Sequence, residues 1–422
     1  MDGYRGTEIF NGEAEYFSLT KVELVAPAGN LEKLCFALHY GADAVYVGGE
    51  RFNLRQQAGN FTFDELCIAR EKTQKQGAKL YIAVNIFARN QDIETLPGYL
   101  ERLNNLHVDG LIISDPGVFL CSREYAPDTP IIISTQANSC NWKTLHFWER
   151  LGAKKICLAR ELSLTEIKDI RERTVLELEA FVHGSMCVAY SGRCLLSNYF
   201  VQRNSNRGNC AQPCRWKYHL VEESRLEDPL KIEEDSLGTY FLNSKDLCMI
   251  EHIPELIESG INSFKIEGRM KSFYYLSVVT RVYREAIDSY YEDPKAYCFR
   301  ESWREELMKV NHRGYTTGFY FDSHPQETQL YSHSAYRCKY RMTGFVCHKS
   351  DNHKTKIDVR NQISIGDSIE IFSKSSECYL AKVKTLWNCE LEPVETLHPG
   401  TVGYLEADKP LKEFDILRKA MD

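Results

Sequence analysis

Glycine (25) and proline (13) are sparse in this 422-residue chain, which excludes collagen-like and low-complexity classes. No stretch approaches the roughly 18 to 20 uninterrupted apolar residues that a membrane helix requires. Positive charge is in deficit: 52 Lys and Arg stand against 59 Asp and Glu, for a net charge of -7. No global field therefore exists to hold nucleic acid, and any RNA contact must be local. The first twenty residues carry Asp2, Glu8, Glu13 and Glu15 and lack the basic-then-apolar order of a secretory signal. What is present, 43% hydrophobic and 26% charged residues, reads as a soluble, cytoplasmic globular protein. The length suits two or three domains, or one large barrel with an appendage.

From residue 22 the chain repeats a short apolar run, a turn and an amphipathic stretch, which is βα alternation. The runs are 22–26, 44–47, 80–84, 110–113, 131–134, 155–158, 178–182, 240–242 and 264–267. A TIM-like (β/α)8 barrel needs eight, so 240–242 is set outside it, pairing with 218–221. Asp64 is expected to open the helix ending at Gly77. Ser163 with Glu166 forms a capping box, Gly152 and Gly260 follow helix ends, and a long helix runs from Ser272 to Tyr291. After 335 the pattern changes to short alternating strands at 341–347, 356–359, 368–372, 379–386 and 401–405, which suggests a small antiparallel β-barrel. The expected organisation is an N-terminal tail (1–20), a barrel (21–335) with an insertion at about 184–240, and a C-terminal β-barrel (336–422).

Cysteine, by contrast, is abundant. Fifteen is an odd count, and most are scattered singly among apolar residues, so reduced thiols are expected. Four of them, Cys187, Cys194, Cys210 and Cys214, crowd one window with spacing C-x6-C-x15-C-x3-C, just past the seventh barrel strand. No Asp or Glu lies between Ala180 and Val221, while Arg193, Arg203, Arg207, Arg215 and Lys217 do. Three readings compete: buried small hydrophobes, zinc, and an iron-sulfur cluster. The gap of six is too long for a zinc knuckle, although Cys210 and Cys214 alone would fit. An oxidised four-cysteine 4Fe-4S centre carries net negative charge that nearby guanidinium groups would stabilise, so iron-sulfur is placed first. The radical-SAM spacing C-x3-C-x2-C fails because Lys217 occupies its third position.

Other candidates fall at strand C-termini, the rim where barrel enzymes bind substrates: Asn53, Arg55, Asn85, Ser134, Gln136, Arg160, Glu161, His183, Glu267, Arg269 and Lys271. Arg55, Arg160 and Arg269 read either as carboxylate or phosphate clamps or as structural ion pairs with Glu161 or Glu267. His183 reads as a proton shuttle or as a satisfied structural imidazole. Tyr190, Tyr199, Phe200 and Trp216 offer faces for stacking a splayed base, although core packing explains any one of them as well.

The segment EAFVHGSMCVAYSGRCLLS, with NRGNCAQPCRW, LNSKDL, KIEGRMKS, APAGNLEKL, GADAVYVGG, FNLR, STQAN and LARELS, resembles the peptidase U32 (collagenase-like protease) family over about residues 22 to 420. Within that family the chain is most similar to the tRNA hydroxylation branch. The resemblance implies hydroxylation of wobble uridine to 5-hydroxyuridine in the tRNA anticodon loop, with prephenate as co-substrate and a 4Fe-4S cluster on Cys187, Cys194, Cys210 and Cys214. It also implies a shorter paralogue as a candidate heteromer partner. His183, Arg160 and Glu267 are the expected catalytic residues; Asn53, Arg55, Gln136, Arg207, Arg269 and Lys271 are the expected substrate-binding ones. The alternative is a U32-type peptidase with Cys187 and His183 as a nucleophile-base pair. No H-E-x-x-H helix or G-x-S-x-G elbow supplies the usual parts of other peptidases.

Overall fold

The computed structural model describes residues 21–55, 59–186, 194, 196–203, 205, 208–213, 234–235, 238–239, 243–321, 329–330, 339–349, 354–374 and 377–421. Eight parallel strands close a barrel: β1 (Glu23–Pro27), β2 (Ala44–Gly48), β3 (Lys79–Ala83), β4 (Gly110–Ile113), β5 (Ile131–Ile133), β6 (Lys155–Cys157), β7 (Glu177–Ser185) and β8 (Ser263–Ile266). They pair in sequence order, and β8 closes the ring between β7 and β1. The strands are those expected from the apolar runs; the run at 240–242 and its proposed partner lie outside the described residues.

Local chemistry sets the helix boundaries. Helix α1 (Leu31–His39) starts on Asn30, whose side chain accepts from the Lys33 N–H. Helix α2 (Phe63–Lys75) is capped by Thr62 in a reciprocal box with Glu65, not by Asp64, which lies inside the first turn. Helices α3 (Asn90–Asn105), α4 (Pro116–Tyr125) and α5 (Trp142–Leu151) follow, and α5 ends on Gly152 with φ of 95°. The Ser163/Glu166 box opens α6 (Leu164–Arg171) as expected. A short helix α7 (Leu196–Val201) lies in the insertion, α8 (Ile253–Glu258) precedes β8, and α9 (Phe273–Glu292) starts on the Ser272 cap.

The barrel interior departs from the apolar expectation for strands buried on both faces. Val25, Ala44, Tyr46, Tyr81, Ile112 and Ile132 pack inside it, but so do two ion pairs. Lys155 meets Glu23 at 2.5 Å near the N-terminal ends of the strands, and Lys265 meets Glu179 at 2.6 Å one layer higher. Burial raises the Glu23 carboxyl, yet Lys155 and Lys79 more than offset this and hold it down at about 2.

Beyond α10 (Glu301–Leu307), a second barrel forms from six antiparallel strands: β9 (Tyr340–Lys349), β10 (Thr355–Val359), β11 (Ser368–Phe372), β12 (Tyr379–Trp387), β13 (Val402–Ala407) and β14 (Ile416–Ala420). Their order is β11-β14-β9-β10-β13-β12, closed by β11 against β12. Alternation identified five of the six; β14, read ILRKA, was hidden by its charges. This barrel docks on α1 and α9. The Phe36 ring stacks on Phe273 and meets Phe345 and Phe414 edge-on, and the Tyr40 hydroxyl donates to the Phe372 and Phe414 carbonyls. No described helix is long and apolar enough to cross a membrane.

Candidate functional site

A cavity opens at the C-terminal end of the parallel barrel, where the strands hand over to the loops. Tyr46, Ile112, Phe181 and Leu54 form its apolar walls; Asn85, Ser134, Gln136, Arg55, Arg160, Lys265, Glu267 and Arg269 provide its polar groups. Period-two alternation puts these residues on one ring: Phe181 and Glu267 point inward from β7 and the end of β8 while their neighbours face the helices. The loop after β2 delivers Arg55, and Asn85 donates to the Gln136 side-chain oxygen at 2.9 Å, fixing the amide across two strands. At Gly184, where φ is +113°, a Cβ would lie 2.5 Å from the Glu267 carbonyl, so only glycine lets these two loops cross.

Charge in this cavity is unbalanced. Arg55 lies 3.7 Å from Glu267, and Lys265 is paired with Glu179. Arg160 donates to the Ser185 carbonyl at 2.9 Å and lies over the Phe181 ring at 3.9 Å. Arg269 donates to the Asn53 and Asn60 side-chain oxygens at 2.7 and 3.1 Å. Neither Arg160 nor Arg269 forms an ion pair with a carboxylate among the described residues, and the Nε of each is buried without a hydrogen-bond partner. Burial holds the Arg269 guanidinium down at about 10, with Arg55 adding repulsion against the pull of Tyr46 and Glu267. Two guanidinium groups therefore remain uncompensated in a concave, largely apolar site, an arrangement that favours a small dianion.

The structure thus brings Arg55, Gln136, Arg160, Glu267 and Arg269 to one cavity. Asn53 is fully buried behind it, its side chain held between Gly49, Arg55 and Arg269. Lys271 lies outside the lining, with its ammonium 5.2 Å from the centre of the Tyr275 ring. His183 is buried on the helix side of β7, ringed by Tyr275, Tyr283 and Tyr315. Burial, with Lys271 and His312 against Asp246, holds its imidazole down at about 3, so it is neutral at ordinary pH. Lys265 and Cys157 also line the cavity but were not singled out from the sequence, because each sits mid-run where alternation reads simply as core. Burial and neighbouring Glu179 push the Cys157 thiol up to about 12, which keeps it protonated and weakly nucleophilic.

Of the four-cysteine window, Cys194 and Cys210 are described; Cys187, Cys214 and Arg207 lie outside the described residues. Both described cysteines are half-buried. The Ser205 hydroxyl donates to the Cys194 carbonyl, and the Ala211 N–H donates to the Ser197 hydroxyl at 2.9 Å, tying the Cys210 loop to α7. The Gln212 N–H points at the Cys210 sulfur at 3.3 Å, the kind of contact that stabilises a metal-bound thiolate. This donor chemistry suits an iron-sulfur centre. Elsewhere, Glu306, Glu370 and Cys378 lie close enough to share a metal ion, but the Arg418 guanidinium already sits among them.

Comparison with known proteins follows the same outline. The peptidase family U32 model matches residues 29–330 and the U32 C-terminal domain model residues 339–418. The chain belongs to peptidase family U32. Among its U32 relatives, tRNA hydroxylation protein P1 of Bacillus subtilis is 40% identical over 94% of this chain and 95% of its own length. The shorter tRNA hydroxylation protein P2 of the same organism is 35% identical over 72% of this chain and 98% of its own. A collagenase of Porphyromonas gingivalis is 31% identical, covering 90% of this chain and 92% of its own.

Proposed function

We propose that this U32 protein hydroxylates tRNA, converting wobble uridine to 5-hydroxyuridine with prephenate as co-substrate. The observation that carries this reading is the pair of guanidinium groups at the barrel mouth, Arg160 and Arg269, that form no ion pair with a carboxylate among the described residues. Prephenate carries two carboxylates, one for each. Phe181, Ile112 and Leu54 supply an apolar wall for its ring, and the Gln136 amide, fixed by Asn85, orients its polar edge. Glu267 stands beside Arg55 at the same rim, placed to take or hold a proton at its carboxylate oxygen. The names of the P1 and P2 relatives support tRNA as the acceptor. Tyr199 (79% exposed) and Phe200 (45% exposed) on α7 offer rings for a splayed base beside the basic window.

The residues that would hold an iron-sulfur cluster are Cys187, Cys194, Cys210 and Cys214. A cluster held by them would supply electron transfer. The P2 relative, whose match spans 72% of this chain and 98% of its own length, makes a shorter paralogue the natural candidate for a heteromer partner. Peptide hydrolysis finds less support: among the described residues no histidine lines the cavity, and the one thiol that does, Cys157, is held protonated.

Nucleoside analysis of anticodon-loop tRNA, incubated anaerobically with purified protein with and without prephenate, tests the reading. 5-Hydroxyuridine that appears only with prephenate is expected; its absence from fully iron-loaded protein overturns the proposal. Iron and acid-labile sulfide measured on wild type and Cys194→Ala test the ligand set. Iron should fall to a small fraction in the variant, and stoichiometric zinc in place of iron would reject the cofactor.

A further inference from the structure

An arginine buried without a carboxylate must be held by something else, and Arg269 shows what. Its Nη2 is shared by the side-chain oxygens of Asn53 and Asn60, at 2.7 and 3.1 Å. Both amides are fixed in turn: Asn53 donates to the Gly49 carbonyl at 2.6 Å and accepts from the Arg55 N–H at 2.8 Å, while Asn60 donates to the Arg55 carbonyl at 3.1 Å. The guanidinium lies flat against β2, where a Cβ on Gly48 would stand 2.7 Å from Nη2 and 2.9 Å from Nη1. Nη1 makes no hydrogen bond among the described residues, and Arg269 borders the cavity. The cradle is uncharged throughout. Neutral amides orient the cation while leaving its charge for a ligand, whereas an aspartate at either position would cancel it.

We infer that Asn53, Asn60 and Gly48 are positioning residues that set the charge selectivity of the cavity, holding Arg269 as an uncompensated cation so that the site prefers a dicarboxylate to a monocarboxylate. This inference rests on the small-dianion reading of the cavity, but not on the fate of the RNA.

The test is calorimetric binding to the full-length protein, with phenylsuccinate as the dianion probe and 3-phenylpropionate as the monoanion. Wild type should bind phenylsuccinate at least about tenfold more tightly, equivalent to about 1.4 kcal/mol. Asn53→Asp and Asn60→Asp should bring that ratio close to one, and Gly48→Ala should lower it by displacing the guanidinium. Asn53→Asp also loses its donor to Gly49 and risks misfolding, so Asn60→Asp, with an unchanged unfolding temperature, is the decisive variant. A folded Asn60→Asp that keeps the wild-type ratio, or a wild type with no preference, overturns the inference. Should the ratio collapse as expected while the wild type makes no 5-hydroxyuridine, the cradle stands and the tRNA reading falls. Hydroxylation with an unchanged ratio has the opposite meaning.

Discussion

Two buried arginines, Arg418 in the C-terminal barrel and Arg269 at the mouth of the parallel barrel, show how the same side chain serves opposite ends. Arg418 is fully buried between the barrels, donating to both carboxylate oxygens of Glu306, to Glu370 and to the Tyr274 hydroxyl. Burial opposes its charge, but the bonds to Glu306 prevail and its guanidinium is held far above the ordinary range. Arg269 is almost as buried, yet it is held by two amides and displaced downward to about 10. Saturated charge fixes two bodies together; unsaturated charge waits for a ligand. If that contrast is right, the two residues should fail in different assays.

The largest effect is expected at the saturated site. Arg418→Met leaves Glu306 and Glu370 facing each other with Lys309 still paired to both. Breaking one side of a buried pair costs about 3 to 5 kcal/mol, so the urea midpoint should fall sharply while phenylsuccinate affinity in the folded fraction stays at the wild-type value. Loss of affinity without loss of stability would erase the distinction. Arg269→Met is the converse: stability unchanged or slightly higher, because an unpaired desolvated cation is removed, and dicarboxylate binding weakened by about 2 to 3 kcal/mol. A destabilised Arg269→Met that binds normally would make Arg269 structural.

A third buried group without full satisfaction sharpens the point through pH. Among the described residues the His183 Nε2 has no hydrogen-bond partner, and burial holds the ring down at about 3 in the folded protein against 6.5 when exposed. Between those values the unfolded chain binds more protons, so the contribution of His183 is present above pH 6.5 and is lost as pH falls toward 3. From pH 7 to pH 5 this amounts to about 2 kcal/mol. His39, also lowered to about 4 by burial and Lys374, adds a smaller change of the same sign because it is more exposed. Denaturant midpoints measured at both pH values should show a shallower acid limb in His183→Gln; an unaltered slope would mean the imidazole is hydrated.

How much of this was legible in the residues themselves depends on the range of the interaction. Strand runs and the Ser163/Glu166 box were readable because their physics is complete within a few positions. The rim arginines were readable too, since a strand end followed by a polar residue is a local pattern. The partners of Arg418 lie 112 and 48 positions away, and in ILRKA a buried arginine looks like a solvated one, which is why β14 was missed. Asn53 and Arg269 meet across 216 positions, so a binding residue could not be told from the one that holds it. Arg55, Arg160 and Arg269 look alike in sequence; only closure of the ring shows that, among the described residues, one forms an ion pair with a carboxylate and two do not.

The smallest expected effect tests that arithmetic directly. Arg55 is half-exposed and stands 3.7 Å from Glu267, a pair worth at most about 1 kcal/mol to stability. Arg55→Gln should therefore leave the unfolding midpoint almost unmoved. It should nevertheless weaken phenylsuccinate binding by about fivefold, roughly 1 kcal/mol, because Glu267 is then uncompensated and the surplus of positive charge in the cavity falls from two to one. Adding Glu267→Gln restores the surplus without restoring either side chain, so the double variant should bind better than the Arg55→Gln single, toward the wild-type value. Recovery in that cycle requires that net charge, rather than a specific contact from Arg55, governs the affinity. A double variant no better than the single one would show that Arg55 touches the ligand itself, and the cavity would then hold three clamping arginines instead of two.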